Sequence, residues 1–143
     1  MADFVLLDGD QVEFVSRFGD ATVVVEPGVI QGTADVSYRS KSLCLEGDEE
    51  RVLVEGCRYV SGAFNIAGVG RLKIKRLGAN QVSQKMTFKG RHVLLKGHAF
   101  EAVFEVQQPA SQLQPPGRPL LDPVKSYQGQ GNFRSANRDF KTD

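Results

Sequence analysis

From Lys41 to Val106 the chain reads KSLCLEGDEERVLVEGCRYVSGAFNIAGVGRLKIKRLGANQVSQKMTFKGRHVLLKGHAFEAVFEV, a series of β-branched and Leu-rich runs cut by Gly, Asn or Asp. The cuts recur roughly every eight to twelve residues, the spacing of closely wound all-β modules. Fifteen Gly and no Trp favour many tight turns over long helices. The expected fold is therefore all-β, one compact domain of short antiparallel strands joined by Gly-rich turns.

At 143 residues the chain has room for one domain with a real core and a tail. Eighteen basic against seventeen acidic residues leave a formal charge of +1, so no strong field draws it to nucleic acid or to an anionic membrane. The opening MADFVLLDGDQVEF has no cationic stretch followed by a long apolar run, and no window reaches the roughly eighteen apolar residues of a membrane span. Synthesis in the cytoplasm without a signal peptide is expected, with any export left to a machine that ignores cleavable signals. Two cysteines, Cys44 and Cys57, are too few for a disulfide scaffold and are expected to be reduced at synthesis.

In chain order, Phe4 to Leu7 and Gln11 to Val15 flank Asp8-Gly9 and read as a hairpin, since Asp-Gly supplies the positive φ of a two-residue turn. Ala21 to Glu26 is a β-branched strand stopped by Pro27-Gly28, because Pro has no N–H to give a ladder. Val29 to Tyr38 suggests another short extended pair. Ser42 to Glu46 and Arg51 to Glu55 read as a hairpin around the acidic loop Gly47 to Glu50. With Glu46 facing Arg51, Cys44 would lie opposite Leu53, and pairing it with Cys57 would need a chain reversal at Gly56. Tyr59 to Gly70 reads as a loop-like connection. Arg71 to Leu77 alternates, sending Leu72, Ile74 and, after a slip at Arg76, Leu77 inward. Gln81 to Phe88 fits either a helical turn or a loop. A last hairpin is expected from His92 to Leu95 and His98 to Val106 about Lys96-Gly97, with Phe100, Ala102, Phe104 and Val106 on a core face.

At Gln107 the composition changes. The β domain is therefore assigned to 1–107, a Pro/Gln-rich linker of extended polyproline character to 108–119, and a polar extended tail to 120–143. The tail is too polar to build a core alone; it is either disordered or a strap anchored by Tyr127, Phe133 and Phe140.

Cys44, Cys57, His92 and His98 match in number and type the donors of a tetrahedral zinc. They lack a paired C-x-x-C knuckle, and the plainer reading is two buried thiols and two turn-associated histidines. No cofactor is expected, zinc being the outlying alternative. The acidic turns at Asp8-Gly9-Asp10, Gly19-Asp20 and Gly47 to Glu50 lack the ligand ladder of a calcium loop and read as hairpin turns. Gly68-Val69-Gly70 has no helix after it to cradle phosphate. Arg71, Lys73, Lys75 and Arg76, with Lys85, Lys89, Arg91 and Lys96, form the most basic neighbourhood, yet only Phe88 is interleaved for stacking on bases. No nucleophile elbow, zinc-protease motif or framed carboxylate pair is present, and no enzyme is expected.

The units Leu43-Cys44-Leu45-Glu46-Gly47-Asp48, Val54-Glu55-Gly56-Cys57-Arg58-Tyr59, Gly68-Val69-Gly70-Arg71-Leu72-Lys73-Ile74 and Gly90-Arg91-His92-Val93-Leu94-Leu95-Lys96-Gly97-His98-Ala99-Phe100 follow one another as strand, Gly-turn, strand. In this the chain resembles the PAAR-like proteins that tip the central spike of contractile injection systems, type VI secretion systems and extracellular phage-tail-like devices among them. The Pro-Ala-Ala-Arg sequence that names the family is absent, and its apex metal, held by His and Cys, does not carry over residue by residue. The resemblance implies a β-pyramid, seated one per trimer on a trimeric VgrG-like spike protein, exported at the tip of the apparatus to sharpen it for envelope penetration, with effector cargo as a second partner. One subunit on three would need three unequal copies of a contact surface in one chain and a broad apolar base. Neither nucleic acid nor stable membrane insertion is implied. The alternative is a free-standing β-sandwich or barrel that binds a glycan or another ligand.

Overall fold

The computed structural model describes residues 3–114 and 117–142. They are all-β, with two short 3-10 turns, Asp48–Arg51 and Ala79–Gln81, as the only helical pieces among them. Ten strands make the main sheet: β1 (Gln11–Phe14), β2 (Arg17–Phe18), β3 (Ala21–Val23), β4 (Gly28–Val29), β5 (Leu53–Ser61), β6 (Phe64–Arg76), β7 (Phe100–Gln108), β8 (Ser111–Gln114), β9 (Arg118–Leu121) and β10 (Ser126–Arg134). The path runs β2-β3-β5-β6-β7-β10-β1-β4, antiparallel throughout, while β8 pairs with both β6 and β9. Its ends curl towards each other. β1 continues through Val15, whose N–H donates to the Gln130 carbonyl, and Ser16, whose carbonyl accepts from Val23, directly into β2.

The interior is packed with rings. Phe100 meets Phe14 at 5.7 Å and Phe133 at 5.1 Å between centroids, and Tyr59 meets Phe104 at 5.1 Å. Each such pair adds about 0.5–1.5 kcal/mol beyond the area it buries. The alternation expected for Leu72 and Ile74 is present, as is the core face of Phe100, Ala102 and Phe104, with Val106 half-buried. The expected slip is there too: the β6–β7 register shifts where Glu101 faces Arg76 but Ala102 faces Ile74.

Several pairings differ from the local reading. Asp8-Gly9 does turn, with the Asp10 N–H donating to the Leu7 carbonyl, but the flanking segments part company, β1 joining β10 and β4. Within Val29 to Tyr38 no pair forms; β4 goes to β1, and Ser37–Tyr38 goes to Lys41–Ser42. Ser42 to Glu46 does not pair with Arg51 to Glu55, and Cys44 is not opposite Leu53, which faces Lys73. Tyr59 to Gly70 is no loop: β5 and β6 form one long hairpin turning at Gly62-Ala63, and the glycines of β6 lie where a side chain would collide. A Cβ on Gly70 would run into the Phe104 ring. Gln81 to Phe88 is mostly strand, Val82–Phe88, paired with Arg91–Leu94 about Lys89-Gly90. The turn at Lys96-Gly97 therefore joins elements that do not pair with each other.

The division at Gln107 is also corrected. β10, in the expected tail, lies between β7 and β1 in the middle of the sheet. Its residues alternate, with Tyr127, Gly131 and Phe133 buried and Gln128, Gln130, Asn132 and Arg134 exposed. Gly131 faces Phe100 across the ladder, and a Cβ there would strike that ring, so the glycine makes room for the larger partner. In the expected linker, β8 and β9 form a hairpin; Pro115 and Pro116, on which the polyproline reading partly rests, lie outside the described residues.

Candidate functional site

Three segments with one pattern, Val5-Leu6-Leu7-Asp8-Gly9-Asp10, Leu43-Cys44-Leu45-Glu46-Gly47-Asp48 and Val93-Leu94-Leu95-Lys96-Gly97-His98, meet in a closed ring. Leu7 bridges Leu43, Leu45 bridges Val93, and Leu95 bridges Val5. The amide of Leu6 donates to the carbonyl of Leu94 at 3.0 Å, that of Leu94 to Cys44 at 2.9 Å, and that of Cys44 to Leu6 at 3.0 Å. A second circuit runs outside the first: Asp8 to Ser42 at 2.8 Å, Glu46 to His92 at 2.8 Å and Lys96 to Phe4 at 2.9 Å. Within each circuit every segment gives to one neighbour and accepts from the other, and the two circuits run in opposite senses, so the ring has no free strand edge.

Side-chain alternation sorts the ring into two layers. The central residues Leu6, Cys44 and Leu94 belong to the main core. Their flanks Val5, Leu7, Leu43, Leu45, Val93 and Leu95 form a second buried cluster, with half-buried Tyr38, Met86, Phe88 and Phe140 against it. Ser37–Tyr38 with Lys41–Ser42 and Val82–Phe88 with Arg91–Leu94 form hairpins here, and Lys141–Thr142 pairs with Asp3–Phe4 in the same way. Each of the three carries a cation over a ring: Arg39 on Tyr38, Lys89 on Phe88 and Lys141 on Phe4. Ion pairs link neighbours, Arg39 to Asp139 at 2.7 Å and Lys89 to Asp35 at 2.6 Å. The ammonium of Lys89 holds the Asp35 carboxyl below its ordinary pKa.

The turns after the ring segments are built alike. Gly9, Gly47 and Gly97 all have positive φ, at 89°, 106° and 53°. The carboxylate of Asp10 accepts the Leu7 amide at 2.8 Å and the Ser135 hydroxyl at 2.7 Å; that of Asp48 accepts the Leu45 amide at 2.8 Å and the Thr33 hydroxyl at 2.7 Å. At the third turn buried Gln81 takes over, its carbonyl accepting the Leu95 amide at 2.9 Å and its side-chain amide donating to Lys96. His98 occupies the position of Asp10 and Asp48 but is exposed.

The four proposed metal donors do not come together. Cys44 sits inside the ring among apolar neighbours, where burial pushes its thiol pKa far up. Cys57 is buried in β5 with its sulfur 3.9 Å from the Val54 carbonyl. The ring nitrogen Nδ1 of His92 lies 2.7 Å from the Ser83 carbonyl, and that of His98 contacts the Asn80 side-chain amide. Both cysteines are free thiols, and among the described residues no three His, Cys, Asp or Glu side chains form a group that could hold a metal. These residues therefore do not fit a zinc ion held by Cys44, Cys57, His92 and His98.

From each ring segment a strand leads away, β1, β5 or β7, and another returns, β4, β6 or β10. At the far end of the sheet a buried polar knot fastens the excursion between β7 and β10. The Asp122 carboxylate accepts from the hydroxyls of Tyr59 at 2.9 Å and Tyr127 at 2.6 Å, while the Tyr59 hydroxyl accepts the Ala110 amide at 2.9 Å. The knot can hold the excursion rigid, and it needs no activated group.

The fold and ring define a class: a small all-β module built three times over within one chain. The chain matches the family model of contractile injection system spike tip proteins over residues 1–143, its whole length, and it belongs to that family. No curated protein matches it. Family membership implies association with the central spike of such a system and export with the device. Among the described residues no helix is long and apolar enough to cross a membrane.

Proposed function

We propose that one copy of this chain caps the blunt end of a trimeric central spike and stiffens it for envelope penetration, as a structural part that performs no reaction and needs no cofactor. The observation that carries this is the ring of three like segments. A cap on three identical subunits meets three identical surfaces, and a chain that repeats itself about an axis can offer each of them a similar set of strands whatever single element it adds to one of them. The two cyclic circuits of backbone hydrogen bonds give that repetition. Rigidity follows from the same features, since a closed ring, two packed clusters and a ring-filled interior leave no open layer to shear. Cargo would be carried on the surfaces the spike leaves free.

The test is co-purification with the trimeric spike protein of the same system, with mass measured by light scattering during size exclusion. One tip per three spike chains is expected. Three tips per trimer, or no complex, would overturn the reading.

A further inference from the structure

The two ends of the molecule differ in a way that assigns them. At the ring end the apolar cluster is sealed, and its hairpins present Arg39, Lys41, Lys89 and Lys141 to solvent. At the other end β6, β8 and β9 form a small three-stranded extension. Ser111 faces both Ile66 and Leu121, and Leu113 faces Pro119, which puts Ile66, Leu121, Leu113 and Pro119 on one side of it. All four are exposed: Leu113 at 64%, Leu121 at 55% and Ile66 at 44% are among the largest exposed apolar side chains. Beside them Val106, Pro109, Leu121, Pro123 and Val124 line a hollow of about 420 Å3. Scattered exposed apolar residues need no explanation, but a contiguous set on a rigidly held hairpin marks a surface that another protein covers.

We propose that this extension is the seat on the blunt end of the central spike, and that the ring end leads. The inference rests on the capping reading above. The occupant follows from the family, because a spike tip is built into one assembly and that assembly's spike is the surface it meets. The knot at Asp122 fits the role: it ties both ends of the extension to the sheet, the Asp122 amide donating to the Ala110 carbonyl at 2.9 Å as well, so contact force on the hairpin passes into β5 and β10. Among the described residues only one of the three units carries such a hairpin. It would therefore occupy one of three equivalent sites on the trimer and fix the rotation of the tip.

The experiment compares three proteins in the light-scattering assay: the unchanged tip, a Leu113→Asp/Leu121→Asp variant, and an Arg39→Ser/Lys89→Ser variant. The apolar-to-acid variant should lose at least about tenfold in affinity for the spike, as for a truncated interface anchor, with an unchanged thermal midpoint. The ring-end variant should bind as the unchanged tip does. A photoreactive residue in place of Leu113 should crosslink to the spike. Equal binding by the Leu113/Leu121 variant, or loss of binding only in the ring-end variant, would overturn the assignment and leave the capping reading standing. Failure of the unchanged tip to bind would overturn both. Self-association of the tip that the Leu113/Leu121 variant abolishes, with spike binding intact, would give the patch to a second copy instead.

Discussion

The Leu6 amide hydrogen-bonds the Leu94 carbonyl at 3.0 Å, and the circuit closes only because Leu94 donates to Cys44 and Cys44 back to Leu6. The three strands can converge in this way only if the chain leaves each of them through a sharp turn, which is where Gly9, Gly47 and Gly97 stand with positive φ. An L side chain there costs about 1–2 kcal/mol from backbone strain alone. The surroundings then set the order. A Cβ on Gly9 meets nothing within 4 Å, one on Gly47 comes within 3.2 Å of the Arg91 guanidinium, which Glu46 and Asp48 hold, and one on Gly97 collides with Asn80 and Gln81. Urea unfolding of the three Gly→Ala variants should therefore show Gly9→Ala least destabilised and Gly97→Ala most, the last by more than the strain alone. Equal losses at all three would show that the ring turns are not packed as described.

Removing the residues after Gln107 should unfold the protein, because the cut takes away a central strand. β10 supplies the ladder partner of both β7 and β1, and its loss exposes Phe100, Phe104 and Phe14 while leaving two strand edges unpaired. The expected outcome is a chain ending at Gln107 without a cooperative thermal transition, which circular dichroism and calorimetry can check. A cooperative transition near that of the full chain would mean that residues 1–107 hold a core of their own.

The knot at Asp122 makes a separate forecast. Asp122→Ala leaves the Tyr59 hydroxyl short of an acceptor in a buried site and the Tyr127 hydroxyl with Ser61 alone, a loss of about 2–3 kcal/mol if no water enters. Tyr127→Phe removes one donor and keeps the ring, and should cost about 1–1.5 kcal/mol. Chemical unfolding measures both, and a smaller effect for Asp122→Ala than for Tyr127→Phe would contradict the geometry.

How much of this is legible in the residues depends on distance along the chain. The all-β class, the inward face of Leu72 and Ile74, and that of Phe100 to Phe104 follow from local alternation, which a strand carries wherever it pairs. Partners do not follow, because turn residues report only that the chain bends. Asp8-Gly9 and Lys96-Gly97 bend it out of the ring, while the ring itself joins positions as far apart as Leu6 and Leu94. Two signals were available and weak. The pattern of two apolar residues, Leu, any residue, Gly and then Asp or His occurs at 5–10, 43–48 and 93–98, and counting it would have revealed the threefold build. In the tail, Tyr127, Gly129, Gly131 and Phe133 keep a period of two, obscured because glycines hold places on the buried face where an apolar residue is the usual sign. Residue type alone is equally silent about where a donor goes: Cys44 is a core residue of the ring, and among the described residues no three of Cys44, Cys57, His92 and His98 come together.

The tyrosines give a pH test that needs no substitution. All three resist ionisation in the folded chain. Burial raises Tyr59 from 10.0 to about 12, and the nearby Asp122 carboxylate adds to it. Burial likewise raises Tyr127, and Tyr38 is raised by its hydrogen bond to Asp139. Because a raised pKa means that the folded state holds the proton more tightly than the unfolded one, the stabilisation is complete below pH 10 and declines as pH rises through about 12. Tyrosinate absorbance of the native protein should therefore show no group titrating at the free value, whereas in denaturant all three should titrate together near 10. Asp122→Asn should lower the titration of Tyr59 and Tyr127 and leave Tyr38 where it was. Tyr59 or Tyr127 ionising at the free value in the native protein would place its hydroxyl in solvent and detach the excursion from the sheet.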